Sequence, residues 1–476
     1  MINLKRSLKT LFIMAMGAVI MTCSALAATD PNAEKIIVPN LPVWDGTVAE
    51  SYAGGSGTQN DPYLISDGSQ LAYLMKQIND TQLESEQTTE GIYYKLTNDI
   101  LLNDISDYKE WADYSAPKNV WTPGGAVVNY TPKGFSGYFD GNNYDIIGMF
   151  VNGGNSAYNG LFGYIYNGQI KNLGIKYSLV SGGNNTSALA GYIRASSSTV
   201  YVSGCRVENT QVYGKNNVGI FGGYIEAYQK SIIFDKCSTV DCLIEGSNYV
   251  GGIGGLAVAY GVSYNASKDT GYAIEFTNCE YTGDSYIQGR LGVGGIIGSS
   301  KDFVSPVSGS DKIALLFKNC ICLGHIACPS EHTGIIAGTV GPADREDKSV
   351  ITNIVNCYAG DNHSHGIYGF TLSETNAIES FLYTGEEMKN ESKFKSFDFD
   401  KIWRIVRESH PMLMVYGDAL GDGKLTAADF IDSLSSFTDV EITEFILANI
   451  DFNADGEYDL SDVNSFINYL RNKGAK

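Results

Sequence analysis

The densest set of metal-ligating side chains in this chain lies near its C-terminus, in DFNADGEYDLSD at 451–462. Asp451, Asn453 and Asp455 put oxygen donors at loop positions 1, 3 and 5, and calcium takes about six to eight such hard ligands. Gly456 permits the sharp turn at position 6, and Glu457 offers its backbone carbonyl at 7. Asp459 stands at 9 and Asp462 closes the loop at 12. The same pattern occurs 33 residues earlier in DALGDGKLTAAD at 418–429, with Asp418, Asp422, Gly423, Lys424, Thr426 and Asp429 in the matching places. Leu420 occupies position 3 there and cannot ligate. The expected chemistry is binding of two calcium ions, the second loop more tightly than the first.

Behind each closing aspartate runs an apolar stripe at helical spacing: Phe430, Leu434 and Phe437 in one copy, Val463, Ile467 and Leu470 in the other. Between them, Thr438 and Glu441 form a capping box ahead of Ile442, Phe445 and Ile446. A duplicated loop-then-helix with aspartate at position 12 resembles a type I dockerin. An EF-hand pair would need a helix entering each loop, and the turn-rich text before Asp418 supplies none. The resemblance implies a small all-α domain over 416–476 that folds on calcium and plugs into a cohesin module of a scaffoldin, as in a cellulosome. It further implies that Ala427, Ala428, Leu460 and Ser461, at loop positions 10 and 11, meet the cohesin.

The text that such a module would carry is repetitive. NVGIFGGYIE (217–226), YVGGIGGLAV (249–258), LGVGGIIGSS (291–300) and HTGIIAGTVG (332–341) are copies of one phrase, with weaker copies at 158–167, 186–195 and 364–373. Cysteines recur between them, at Cys205, Cys237, Cys279, Cys320 and Cys357. From Cys205, Cys237, Cys279 and Cys320 to the last glycine of the next phrase the spacing is 18, 18, 19 and 18 residues, whereas the return to the next cysteine varies from 14 to 24. A fixed segment alternating with an elastic one marks a solenoid whose insertions leave from one side of each layer. Short Val-, Ile- and aromatic-rich runs broken by glycine make the layers β. The expected fold is an all-β parallel β-helix, right-handed because parallel crossovers almost always are. The cysteines then form a buried internal ladder and not a disulfide framework. The phrase resembles the GLUG motif of β-helical surface proteins, including a region of bacterial IgA-cleaving metallopeptidases, over about residues 44–415. The resemblance implies a fold and says little of an activity.

Whether the solenoid does chemistry of its own is less legible. No His-Glu-x-x-His occurs, nor the Gly-His-Gly or Arg-Ile-Lys signatures of pectin-degrading β-helices. Cys320-Ile-Cys322 with His325 and Cys328 has zinc-like spacing, but strand alternation turns both Cys320 and Cys322 inward. The elastic segments 256–276, 299–317 and 339–354 remain as a candidate ligand shelf, with Tyr260, Tyr264, Asp302, Phe303 and Arg345 as its aromatic and charged members. Three readings stay open: a carbohydrate- or surface-binding module, a polysaccharide lyase or glycoside hydrolase, and a structural or adhesin module.

The ends and the composition fit an exported protein. Lys5, Arg6 and Lys9 precede an apolar run from Leu11 to Met21 and a small-residue site at 25–27, so 1–27 reads as a signal peptide and 28–43 as a lead-in. Thr22 before Cys23 departs from lipid-anchor signals, and no later run is long enough to span a membrane. The expected location is extracellular, attached to a scaffold or surface through cohesin. A net charge of −20 argues against nucleic acid and anionic lipid as partners; it favours divalent cations and neutral polymers such as plant polysaccharide. At the solenoid's start, Ser66 and Asp67 cap a helix with Leu71, Leu74, Met75 and Ile78 on one face, fit to cover an open end. Asp99, Asp140 and Asp145 read as turn formers.

Overall fold

The computed structural model describes residues 39–414, apart from 40, 81–88, 113–115, 129–130, 261–271, 304–311, 329, 331, 341–349, 361–366, 370–373, 400 and 406–409. The leader and the whole of 416–476, with every expected calcium ligand and cohesin contact, lie outside the described residues.

The sequence phrases build five parallel ladders of ten, nine, six, five and six strands, here called the first to fifth sheets in the order the chain visits them. One coil shows the scheme. It runs Val200–Ser203 in the first sheet, Arg206–Glu208 in the second, Gln211–Tyr213 in the third, Asn216–Gly219 in the fourth and Gly222–Ala227 in the fifth. The next coil opens at Ile232, which pairs in parallel with Val200. The fold is a parallel β-helix.

Strand alternation sends one row of each sheet inward. Val207, Thr239 and Tyr281 are neighbours in the second sheet, Val212, Ile244 and Ile287 in the third, and all are buried. In the first sheet Phe234, Phe276 and Phe317 stack one coil apart, ring centres 5.1 Å from each other and planes within 6°. The cysteine column holds as expected. Cys205, Cys237, Cys279, Cys320 and Cys357 are free and buried, each leading into a second-sheet strand. Ahead of them the chain turns through left-handed residues, Asn278, Asn319 and Asn356 at φ 51°, 55° and 50°, a conformation asparagine tolerates better than other side chains.

The glycine phrase forms the corner between fourth and fifth sheets. A Cβ on Gly255 would lie 2.4 Å from the Val218 nitrogen, and one on Gly298 2.3 Å from the Val250 nitrogen. The phrase is therefore a spacing device that lets backbones of adjoining coils touch where any side chain would intrude.

Both extremities of the described solenoid carry added structure. Helix α1 (Gly68–Asn79) is capped by Asp67, which accepts from the Ser69 and Gln70 amides, and buries Leu71, Leu74, Met75 and Ile78. After the last second-sheet strand, Phe381–Tyr383, the chain runs back over the outer face of that sheet. Phe394, Phe397 and Trp403 there cover Ile321 and Tyr358. An antiparallel hairpin, Trp403–Ile405 with Pro411–Leu413, ends this strap, and the Leu413 amide donates to Glu280 at 3.2 Å. Asp140 is a turn former, accepting from the Asn142 amide. Asp145 is not. It lies in the second-sheet strand Asp145–Ile147, 1% exposed, and is held by Arg206 and Lys176.

Candidate functional site

The elastic segments leave the solenoid where the repeat spacing puts them. In compact coils the chain passes from fifth to first sheet within a few residues, Ala195 to Val200 and Ala227 to Ile232. The longer connections run from Tyr260 to Tyr272, Phe303 to Lys312 and Thr339 to Val350, between the same two sheets. One corner of the helix therefore bears all three. Of the expected shelf residues, Tyr260 and Phe303 are backbone neighbours in register at the ends of fifth-sheet strands, and Asp302 pairs with Ala259. Tyr264 and Arg345 lie outside the described residues.

Next to that corner, the outer face of the fifth sheet carries a site that sequence reasoning missed. Its first outward row is Tyr164, Tyr192, Tyr224, Leu256, Ser299 and Thr339, one residue per coil. The Tyr164 and Tyr192 rings stack at 4.7 Å, and Tyr224 meets Tyr192 edge-on at 5.0 Å. Tyr158 stacks on Tyr192 from the side at 6.0 Å. Tyr164 is fully buried and its hydroxyl makes no hydrogen bond, so it serves as the floor, while Tyr192 and Tyr224 are half-buried and present their rings. The second outward row is Tyr166, Arg194, Glu226 and Val258. Tyr228 follows Glu226 two residues on and is exposed.

The polar members form one cluster. The Tyr192 hydroxyl donates to Glu226 Oε2. Arg194 Nε lies 3.6 Å from the same oxygen, too far for a hydrogen bond, and its guanidinium sits over the Tyr228 ring at 4.3 Å. Burial pushes the Glu226 carboxyl up to about 7. Aromatic faces flanked by a carboxyl and a guanidinium are the makings of a surface that stacks sugar rings and hydrogen-bonds their substituents. The signal was present in the sequence. In each copy of the phrase one residue follows the last glycine, and it is tyrosine in three successive coils, Tyr164, Tyr192 and Tyr224, before changing to Leu256, Ser299 and Thr339.

The zinc-like spacing assembles no site. Cys320 and Cys322 face the core, His325 is exposed, and among the described residues no group of three or more His, Cys, Asp or Glu is placed to hold a metal. Among the described residues, too, no helix is long and apolar enough to cross a membrane.

Comparison with known proteins adds little beyond this geometry. No family model matches the chain. A "Putative Gly-rich membrane protein" of Evansella cellulosilytica is 33% identical over 125 residues, 26% of this chain, and the match spans only 12% of that protein. Among solved structures, one described as a putative immunoglobulin A1 protease from Bacteroides ovatus aligns with 76% of this chain and 95% of that one. Its TM-score is 0.47 and its sequence identity 15%. The parallel ladders above define the fold without it.

Proposed function

We propose that this protein is a secreted, non-catalytic carbohydrate-binding component of a cellulosome-type assembly. The β-helix, of the GLUG type, binds polysaccharide on the outer face of its fifth sheet. The C-terminal module, read as a type I dockerin, takes two calcium ions and tethers the solenoid to a cohesin. The observation that carries the binding half is the row of stacked rings Tyr164, Tyr192 and Tyr224 beside Tyr228, Arg194 and Glu226. Soluble proteins rarely leave such an aromatic group half open to solvent without a ligand for it. The tethering half rests on the two loops at 418–429 and 451–462.

Two measurements on the full chain test the two halves. The protein is passed over immobilised plant polysaccharides with and without Tyr192→Ala and Tyr224→Ala together. Retention lost in the double variant, at an unchanged melting temperature, supports the reading; equal retention contradicts it. Release of reducing ends or unsaturated products from any of these polymers would replace binding by catalysis. Separately, cohesin-bearing scaffold fragments should capture the chain in calcium and release it in EGTA. Capture indifferent to EGTA would sink the tethering half.

A further inference from the structure

We propose that the ligand of the fifth-sheet face bears a carboxylate, a uronic-acid unit within the polysaccharide, received by the guanidinium of Arg194. This rests on the carbohydrate-binding reading and narrows it to one class of polymer.

A guanidinium carries five N–H donors in a planar fork, and arginines in folded proteins spend them on carboxylates or carbonyls. Arg206, on the second sheet of the same solenoid, does so. It meets Asp145 at 2.5 Å and Glu208 at 3.4 Å, and also reaches the Asn143 carbonyl. The Arg194 guanidinium makes no hydrogen bond among the described residues; its Nε is buried and unbonded. Its one ionic neighbour, Glu226, stands at 3.6 Å and already accepts from the Tyr192 hydroxyl. The contact with Tyr228, guanidinium carbon 4.3 Å from the ring centre, draws on the charge of the group and spends none of its donors. A partly buried fork with unspent donors matches a carboxylate in bidentate geometry.

The surroundings fit a sugar acid better than a bare anion. Tyr192, two residues before Arg194 on its own strand, and Tyr224, one coil on, give a ring surface where the pyranose bearing that carboxylate can lie. Glu226 complements the pairing when it is protonated, because its acid proton becomes a donor to the incoming oxygens. Its equilibrium near neutral pH makes that form accessible. The groups around Glu226 are Tyr164, Tyr166, Tyr192 and Arg194 on preceding strands, and Tyr224 and Tyr228 on its own strand. On the following strand stand the uncharged Leu256 and Val258, and in backbone register Lys301 is the neighbour of Val258 one strand further on. Glu226 is the carboxyl among these groups, so a second negative charge beside it raises its proton affinity further. The net charge of −20 does not forbid an acidic ligand, since exposed charges beyond about 10 Å are largely screened at ordinary ionic strength.

The test compares polygalacturonate with its fully methyl-esterified form, the same backbone with the charge removed. Titration calorimetry of the full chain at pH 6 and pH 8 is run on wild type, Arg194→Gln, Arg194→Lys and Glu226→Gln. Wild type should bind the acid form about tenfold or more tighter than the ester, and Arg194→Gln should abolish that preference. Arg194→Lys should restore only part of it, because lysine keeps the charge without the fork. Affinity for the acid form should fall between pH 6 and pH 8 in wild type and stay level in Glu226→Gln. Equal binding of acid and ester, or a preference surviving Arg194→Gln, overturns the inference while leaving the carbohydrate reading intact. Binding of neither polymer, nor of any neutral glycan in the panel, overturns both.

Discussion

The second and fifth sheets offer their outer faces to very different uses, though one repeat builds both. On the second sheet the charges close upon themselves. Asp145, Lys176, Arg206 and Glu208 form one network at 2.5–3.4 Å, and the neighbouring apolar half, Ile321 and Tyr358, lies under the strap that ends at Trp403 and Leu413. On the fifth sheet the Tyr192 and Tyr224 rings are half open, and Arg194 has no side-chain hydrogen bond among the described residues. Glu208 and Glu226 differ in the same way, although Glu280, buried under the strap on the second sheet, is also pushed up to about 7. Burial alone would raise Glu208, but Lys176 and Arg206 outweigh it and hold the carboxyl below its ordinary range. At Glu226 burial prevails over the Tyr192 hydroxyl and Arg194, and the carboxyl rises to about 7. A satisfied charge network is architecture, and an unsatisfied one beside open aromatic rings is a place for something else to bind.

The contrast breaks most visibly through its arginines. Arg206→Gln takes the 2.5 Å guanidinium partner from the buried Asp145 and should cost about 3 kcal/mol of stability. Arg194→Gln should leave the unfolding midpoint nearly unchanged. Urea denaturation of the two variants decides, and equal losses would erase the distinction between the faces. Next in size is the effect of single tyrosines on ligand retention. Tyr224→Ala should weaken binding about tenfold, the worth of roughly 1.4 kcal/mol, without moving the melting temperature. Tyr358→Ala, on the strap-covered face, should do the reverse.

The pH response sharpens the comparison further. Glu208, held low in the folded state, adds stability that is present above about pH 4.5 and is lost as pH falls through its folded value. Glu226 has the opposite sign. Its contribution is fully present below about pH 4.5 and is lost as pH rises through about 7. Glu226→Gln should thus flatten the stability profile between pH 5 and 8, and Glu208→Gln should flatten it on the acid side, both read from melting curves. The smallest effect belongs to the ladder. Cys279→Ser should cost only about 1 kcal/mol, because the hydroxyl inherits the Thr277 carbonyl now 3.3 Å from Sγ. A loss above about 3 kcal/mol would mean that the column relies on sulfur packing.

How much of this was legible follows from what repeats. Cys205 to Cys357 and the glycine phrase recur because every coil needs the same corner, so the parallel coil, its inward column and the corner of the elastic segments could all be read from spacing. The capping helix was legible from Asp67 and its stripe. Asp145 was misread because its role depends on Arg206, which lies 61 residues away and meets it only through two steps of lateral pairing, from Asp145 to Gly174 to Arg206. The tyrosine row was hidden by its own regularity. Tyr164, Tyr192 and Tyr224 sit inside the phrase that signals the fold, and that phrase is read for its glycines. Tyr260, Asp302 and Phe303 drew attention instead because they border insertions, and the register places them at the margin of the same sheet.

The proposed carbohydrate ligand must lie on one face of the solenoid. Hydroxyl-radical footprinting of the full chain, read by mass spectrometry with and without a retained polysaccharide, measures that directly. Protection should fall on Tyr192, Tyr224 and Tyr228. It should spare Tyr93 and Tyr138, an equally well stacked pair on the first sheet with ring centres 4.2 Å apart. Protection of Tyr93 and Tyr138 with the fifth-sheet tyrosines unchanged would contradict the assignment and move the ligand to the other wall.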